Sequence, residues 1–144
     1  MYKHILVPTD GSKLSRNAVS EAMTLAQALG AKVTLFHVAP EQIWPVYAES
    51  ALMVQQSTDD FRVETKRQAK ALLDKAAKRA GGNVDTKFVL SDVPYDAIVK
   101  AVAKLKCDLV VMASHGRRGL SGFLLGSETQ KVLTHSKVPV LVVR

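Results

Sequence analysis

Short apolar runs alternate with longer segments of helical periodicity along the whole chain. The runs predict five strands, at residues 4–8, 32–38, 84–90, 108–113 and 138–143. The first run is apolar almost throughout, as expected of a strand buried on both faces of a sheet. Because helical segments separate the strands, the pattern predicts right-handed crossovers and a parallel sheet covered on both sides. The expected fold is one doubly wound α/β domain over residues 1–144.

Local signals place the helix ends between these strands. Ser12 is a good cap for a first helix that stops at Gly30. Residues 40–60 are predicted as a loop followed by the entry to a long second helix. Pro94 stands near the first position of the third helix, and Ser127 begins the last one.

The composition is that of an ordinary globular protein, with 47% apolar and 23% charged residues. A chain of 144 residues buries enough surface for a core without disulfides or metal. No apolar run approaches the roughly 20 residues that span a bilayer, and the first residues lack the features of a signal peptide. The lone Cys107 is expected to be buried in a reducing compartment. We therefore expect a cytoplasmic protein with no membrane partner.

The net charge of +7 predicts some affinity for anions. Seven basic residues fall between positions 62 and 79 at helical spacing, which favours a solvated helix face over a nucleic-acid surface. The few aromatic residues do not interleave with them as in single-strand binders, so no nucleic-acid partner is expected. The four histidines are scattered and no cysteine stands beside them at a metal-ligand spacing, which argues against a zinc site.

Two strand ends carry residues suited to ligand binding, which in doubly wound sheets occurs at the carboxyl ends where the winding reverses. Residues 9–12 follow the first strand, and a glycine-rich segment follows the fourth. Four of the eight glycines fall between Gly116 and Gly126, and glycine lets backbone N–H groups approach an anion closely. Ser127 then opens a helix whose N-terminus favours a phosphate, and Arg117 adds positive charge.

Other interpretations of these segments remain open from the residues alone. Residues 127–130 also form a capping box that needs no ligand. The chain contains neither the phosphate-binding P-loop nor the GxGxxG dinucleotide pattern. A receiver-type domain would have paired acids after the first strand, where only Asp10 stands. A flavodoxin-like electron carrier, with Trp44 or Tyr47 stacked on a flavin, leaves the glycine-rich segment unexplained.

Both ends of the chain resemble the universal stress protein family. Residues 4–12 are similar to its opening, and residues 112–144 to the closing segment of its ATP-binding branch. That branch has a glycine, two residues, a second glycine, nine residues, and then Gly-Ser or Gly-Thr. Gly116, nine residues, and Gly126 with its following serine match the second and third elements, whereas Ala113 replaces the first glycine. The resemblance implies a flavodoxin- or Rossmann-like fold of the adenine nucleotide alpha hydrolase type.

The resemblance also implies an ATP site, with Mg²⁺ held through the phosphates. Asp10 would lie against the adenosine, Val38 would contact adenine through its backbone, and the residues that end the fourth strand would line the base and ribose. The backbone of Glu128 would join the phosphate-binding groups. The expected nucleotide-binding set is Pro8, Thr9, Asp10, Val38, Met112, Ala113, Ser114, His115, Gly116, Arg117, Gly126, Ser127 and Glu128.

A homodimer is the expected assembly. The last strand is apolar and is predicted at an edge of the sheet, which invites pairing with a second chain. The resemblance implies antiparallel pairing of two such strands, through Val140, Leu141, Val142 and Val143. The alternative is an edge covered by the chain's own helices. The leading hypothesis is an ATP-binding stress-response protein whose nucleotide is the ligand or switch of the dimer. A slow ATPase or phosphotransferase and a nucleotide-free dimeric adaptor are the alternatives.

Overall fold

The computed structural model describes residues 1–42, 51–116 and 124–144. Within them, strands and helices alternate from the first element to the last. In chain order the elements are β1 His4–Pro8, α1 Lys13–Leu29, β2 Lys32–Ala39, α2 Ala51–Ala80, β3 Val84–Leu90, α3 Pro94–Leu105, β4 Leu109–Ala113, α4 Ser127–His135 and β5 Val140–Val143. The five predicted strands and the helices between them are confirmed.

All ladders of the sheet are parallel, and the strand order is β3-β2-β1-β4-β5. The chain winds from β1 outward to β3 and then returns to add β4 and β5 on the other side of β1. The winding direction therefore reverses between β1 and β4. The predicted doubly wound α/β fold is confirmed, and the crevice at such a reversal is where ligands bind in folds of this kind.

Alternate residues of the two central strands face two separate cores. Ile5, Val7 and Val111 point toward α1 and α2, whereas Leu6 and Val110 point toward α3 and α4. All five side chains are fully buried. Because helices cover both faces of β1 and β4, a ligand can approach these strands at their ends.

Local signals fix several boundaries as predicted. Ser12 caps α1 by accepting the N–H of Ser15, and Gly30 ends the helix with a left-handed φ of 67°. Pro94 lies in the first turn of α3. Cys107 is buried and not in a disulfide, as expected.

Two strands begin later than predicted. Asp108 precedes β4, and its carboxylate accepts the backbone N–H groups of Lys3 and His4 at 2.8 and 2.9 Å. Val138 precedes β5 and lies in a turn closed by the hydroxyl of Ser136. The predicted strands at 108–113 and 138–143 are therefore shortened at their amino ends.

The hydrogen-bonded ladder between β1 and β4 stops before Pro8. The ladder between these strands stops at the pair Leu6 and Val110, although β4 continues for three more residues. The N–H of Thr9 bonds to the carbonyl of Phe36 in β2 at 2.8 Å, so the alternation along a strand turns the nitrogen of Pro8 toward β4. Proline has no N–H to donate there. The missing donor ends the ladder, and the crevice expected at the winding reversal lies beyond this point.

β5 lies at one edge of the sheet, as predicted, and β3 lies at the other. Leu141 in β5 is 44% exposed, and Val89 in β3 is 39% exposed. In the part of the chain that the structure describes, no helix is long and apolar enough to cross a membrane.

Candidate functional site

The turn after β1 is held in place by its own polar groups. Asp10 accepts the N–H of Ser12 on Oδ1 at 2.9 Å. The buried hydroxyl of Thr9 donates to the hydroxyl of Ser15 at 3.1 Å, and its carbonyl accepts Nδ1–H of His37 from β2 at 2.8 Å. These bonds fix the carboxylate of Asp10 at the mouth of the crevice.

The turn after β4 and the start of α4 are joined through two carbonyl groups. The N–H of Gly126 donates to the Ser114 carbonyl at 2.8 Å. The buried hydroxyl of Thr129 lies 3.0 Å from the Ala113 carbonyl oxygen and 3.2 Å from that of Ser114. Ser114 donates its own N–H to the carbonyl of Val143 at 2.8 Å. The start of α4 is thereby fixed to the ends of β4 and β5.

Asp10 and Gly116 bring the two turns together across the crevice. A Cβ atom at Gly116 would lie 2.9 Å from Oδ2 of Asp10, inside ordinary van der Waals contact. A Cβ atom at Gly126 would lie 3.1 Å from the Ser114 carbonyl oxygen and 3.4 Å from Cα of His115. At both positions, a side chain would therefore have to displace a neighbouring group.

The first turn of α4 presents backbone donors toward the crevice. Gly126 is the N-cap residue and has no side chain to accept a hydrogen bond from the first turn of the helix. The first N–H groups of a helix have no partner inside it, and they carry the positive end of the helix dipole. Ser127 is exposed at the first helical position, so its hydroxyl is available beside these N–H groups. We name Gly116, Gly126, Ser127 and the N–H groups of the first turn of α4 the cradle.

The alternative interpretation of residues 127–130 as a capping box is wrong. Ser127 lies inside the helix instead of at its cap. The side-chain amide of Gln130 donates to the Leu125 carbonyl at 3.0 Å. The carboxylate of Glu128 turns away from the cradle and accepts the N–H of Tyr95 in α3 at 2.9 Å. Only the backbone of Glu128 therefore joins the cradle.

Three predicted residues offer the crevice mainly their backbone. β2 continues past the end of β1, and alternation turns both the N–H and the C=O of Val38 toward the space beyond Pro8. The side chain of Met112 packs in the core under α3 and α4. The methyl group of Ala113 packs in the core beside α1. The departure from the family's glycine pattern at Ala113 is therefore accommodated by the core.

Ser114 and His115 contact each other, with Oγ of the serine 2.9 Å from Nδ1 of the histidine. Ser114 is only 4% exposed, so this pair does not present an accessible hydroxyl nucleophile. Arg117 lies outside the described residues, as do Trp44 and Tyr47. Among the side chains that the structure describes, no three of His, Cys, Asp and Glu form a group that could hold a metal ion.

A groove of about 1120 Å³ runs between α1 and α2 along the sheet. It includes Thr9, Asp10 and Val38 at the carboxyl end of the sheet and reaches Asn83, which precedes β3, at the other end. The groove therefore reaches the Asp10 side of the crevice, whereas Gly116, Gly126 and Ser127 of the opposite turn do not line it.

Two residues that hold the site together, Thr129 and His37, were not predicted from the sequence. Thr129 could have been recognised from its place in the first turn of a helix, two positions after the Gly-Ser pair, because a hydroxyl there can reach the preceding turn. No local signal existed for His37, since its partner Thr9 lies 28 positions away in the chain.

The winding reversal, its paired turns and its cradle define a doubly wound α/β protein with a crevice at the carboxyl ends of β1 and β4, which is where proteins of this fold class bind their ligands. The family model described as Universal stress protein family matches residues 1–144. The chain belongs to this family, as its two ends predicted.

The similarity to known proteins extends over the whole chain. Universal stress protein MJ0531 of Methanocaldococcus jannaschii is 33% identical, over 100% of this chain and 83% of its own length. The solved structure of protein MJ0577 from the same organism is 30% identical, with a TM-score of 0.83 over 99% of this chain and 96% of that one. A crystal structure of a universal stress protein in complex with cAMP is 28% identical, with a TM-score of 0.72 over 99% and 97% of the two chains.

Proposed function

We propose that this protein binds an adenine nucleotide, ATP in particular, at the crevice between β1 and β4. The observation that carries the proposal is the convergence of Asp10 and the cradle, each held by its own hydrogen bonds, at the reversal point of the sheet. The cAMP complex of a similar universal stress protein supports adenine nucleotides as the ligand class.

The two ends of the crevice suit the two ends of a nucleotide. Adenine presents an N–H donor and a nitrogen acceptor on one edge, and Val38 directs one N–H and one C=O to the same side of β2. The cradle would hold the phosphates through backbone N–H groups and the hydroxyl of Ser127, as helix N-termini do. Asp10 lies between these ends, against the adenosine, and Mg²⁺ would be held through the phosphates beside it.

Chromatography of nucleotide released from denatured protein, followed by calorimetric titration of the emptied protein with ATP, tests this proposal. A Cβ at Gly126 must push against the Ser114 carbonyl, which is fixed by buried bonds. Gly126→Ala is therefore expected to weaken ATP binding at least tenfold. Gly82→Ala is the matched control, because its Cβ meets only the flexible end of Met23, at 2.8 Å, at the opposite end of the sheet. Equal ATP affinity in both variants would contradict the site.

The same measurements separate the other functional classes. A protein that neither releases nor takes up nucleotide would be the nucleotide-free adaptor. Steady release of phosphate from ATP that stops in Asp10→Asn or His115→Ala would identify the slow ATPase. We expect saturable binding without steady turnover, because the Ser114 hydroxyl is buried and Asp10 is engaged with Ser12.

We propose further that two chains form a homodimer by antiparallel pairing of β5. The support is the edge position of this strand and its lack of charged residues, with Leu141 44% exposed. Leu141→Lys is expected to shift the protein from dimer to monomer in analytical ultracentrifugation. Val89→Lys is the matched control, since Val89 is 39% exposed on the opposite edge. Dissociation by both substitutions, or by neither, would contradict this interface.

Bound nucleotide would then act as a switch by shifting the population between two states of the dimer. The measurement is the dimer dissociation constant with and without saturating ATP, in the wild type and in Gly126→Ala. A ligand-dependent change that Gly126→Ala abolishes would support the switch. An identical constant under all conditions would leave nucleotide as a ligand without this role.

A further inference from the structure

A carboxylate links the two helices beside the cradle. α3 begins without a side-chain cap of its own, and its first residue, Pro94, has no N–H. Glu128 of α4 supplies the acceptor, because its Oε2 accepts the N–H of Tyr95 at 2.9 Å. α3 therefore takes its N-terminal cap from α4.

Neighbouring side chains hold the Glu128 carboxylate in this position. Nζ of Lys131 lies 3.1 Å from Oε1 of Glu128 and 5.5 Å from the centre of the Tyr95 ring. The Tyr95 ring in turn packs on His135, with the ring centroids 4.9 Å apart. Both carboxylate oxygens are thus engaged, and the side chain points to α3 instead of to the crevice.

The same residue takes part in the cradle and in the helix link. The backbone of Glu128 is second in α4, among the N–H groups that face the crevice. Its side chain, although paired with Lys131, places a negative charge beside the positive end of the helix dipole. This charge stabilises the helix, but it also opposes any second anion that binds at the same end.

We propose that Glu128 is a positioning residue that sets how strongly the site discriminates ligands by phosphate charge. This inference rests on the proposed nucleotide site. The link to Tyr95 keeps the carboxylate out of the cradle, while its charge lowers the affinity for phosphate groups. The penalty grows with the phosphate charge of the ligand, so ATP is affected more than AMP, and adenosine is not affected.

Calorimetric titration of the whole protein with adenosine, AMP and ATP at low salt tests the inference. Glu128→Gln removes the charge but keeps a carbonyl oxygen for the N–H of Tyr95. It is expected to tighten ATP binding about two- to fivefold, the range of a charge near a helix terminus, and to leave adenosine binding unchanged. Glu21→Gln, on the exposed side of α1, gives the same change in net charge away from the cradle.

Glu128→Ala removes the acceptor as well as the charge. The Tyr95 amide hydrogen is then expected to exchange with solvent at least tenfold faster in the ligand-free protein, whereas Glu128→Gln preserves its protection. Hydrogen exchange followed by NMR measures this without any nucleotide. Equal protection of the Tyr95 amide in wild type and Glu128→Ala would overturn the link between the helices.

The outcomes separate this inference from the proposed function. If the wild type binds none of the three ligands, both fail. If the wild type binds ATP but Glu128→Gln behaves like Glu21→Gln, the role of Glu128 is wrong while the site stands. An equal gain for adenosine and ATP would also overturn it, because a general structural effect would not distinguish the ligands by phosphate charge.

Discussion

Gly116→Ala tests the contact that joins the two halves of the crevice. The added Cβ would lie 2.9 Å from Oδ2 of Asp10, whereas ordinary contacts begin at 3.4 Å. The carboxylate must therefore withdraw by about half an ångström, which strains its 2.9 Å bond to the N–H of Ser12. Because the backbone of Gly116 does not have a positive φ, alanine fits the main chain, and the change acts through Asp10.

The expected cost follows from that single displaced group. A hydrogen bond to a charged group contributes about 1.5–3 kcal/mol, and a carboxylate that shifts without being removed loses part of this. We expect ATP affinity to fall about tenfold, or roughly 1.4 kcal/mol. The ligand-free melting temperature is expected to fall by no more than about 3 °C, because roughly 1 kcal/mol of stability corresponds to a few degrees in a domain of this size.

A double-mutant cycle with Asp10→Ala isolates the mechanism. In the Asp10→Ala background there is no carboxylate to displace, so Gly116→Ala should cost almost no further affinity. Titration calorimetry of the four proteins gives the coupling energy directly. Additive losses would refute the reasoning, because they would mean that the methyl group acts on the ligand or on the turn instead of on Asp10.

Three further predictions concern residues around the site and in the core. Thr129→Val should lower the free energy of unfolding by about 1–3 kcal/mol in denaturant titrations, because the Ala113 carbonyl loses the hydroxyl donor that it shares with the Ser114 carbonyl, whereas the Ser114 carbonyl keeps the N–H of Gly126; Thr129→Ser should retain most of the stability. Backbone N–H groups of His4 and then Lys3 hold the pKa of Asp108 below its ordinary 3.8. A carboxylate whose pKa is lower in the folded protein stabilises the fold at pH values above its ordinary pKa. The stability advantage of the wild type over Asp108→Asn should therefore be full at neutral pH and disappear as the pH falls through the pKa of the folded protein. An advantage that persists in strong acid would contradict this assignment. Burial raises the pKa of the Cys107 thiol to about 11, so an aromatic disulfide reagent at pH 8 should modify it only after unfolding, and rapid reaction of the native protein would contradict its buried position.

The fold could be predicted because its signals are local. Apolar runs, the Ser12 cap and the Gly30 terminator each act within a few residues, and the structure confirms them. The errors at the amino ends of β4 and β5 arise where a distant or neighbouring polar group decides the boundary. Asp108 bonds to residues more than 100 positions away, which no pattern along the chain reveals.

The candidate site was predicted in part, because some of its signals are also local. Glycine spacing indicated which backbone segments come close to other groups, and the contacts at Gly116 and Gly126 agree with that indication. The destination of a side chain could not be predicted, since it depends on which helices pack together. Glu128 illustrates this, because its partner Tyr95 belongs to another helix, 33 positions earlier in the chain.

The ladder that ends at Pro8 has a consequence for the kinetics of ligand entry. A crevice that opens by breaking a β-ladder bond must wait for that fluctuation, and association is then slowed by the rare open state. Here Pro8 has no N–H with which to bond β4, so no ladder bond has to break at this position before a ligand enters. The entrance is therefore preorganised, and the association rate at this end of the site is expected to be set by diffusion and charge.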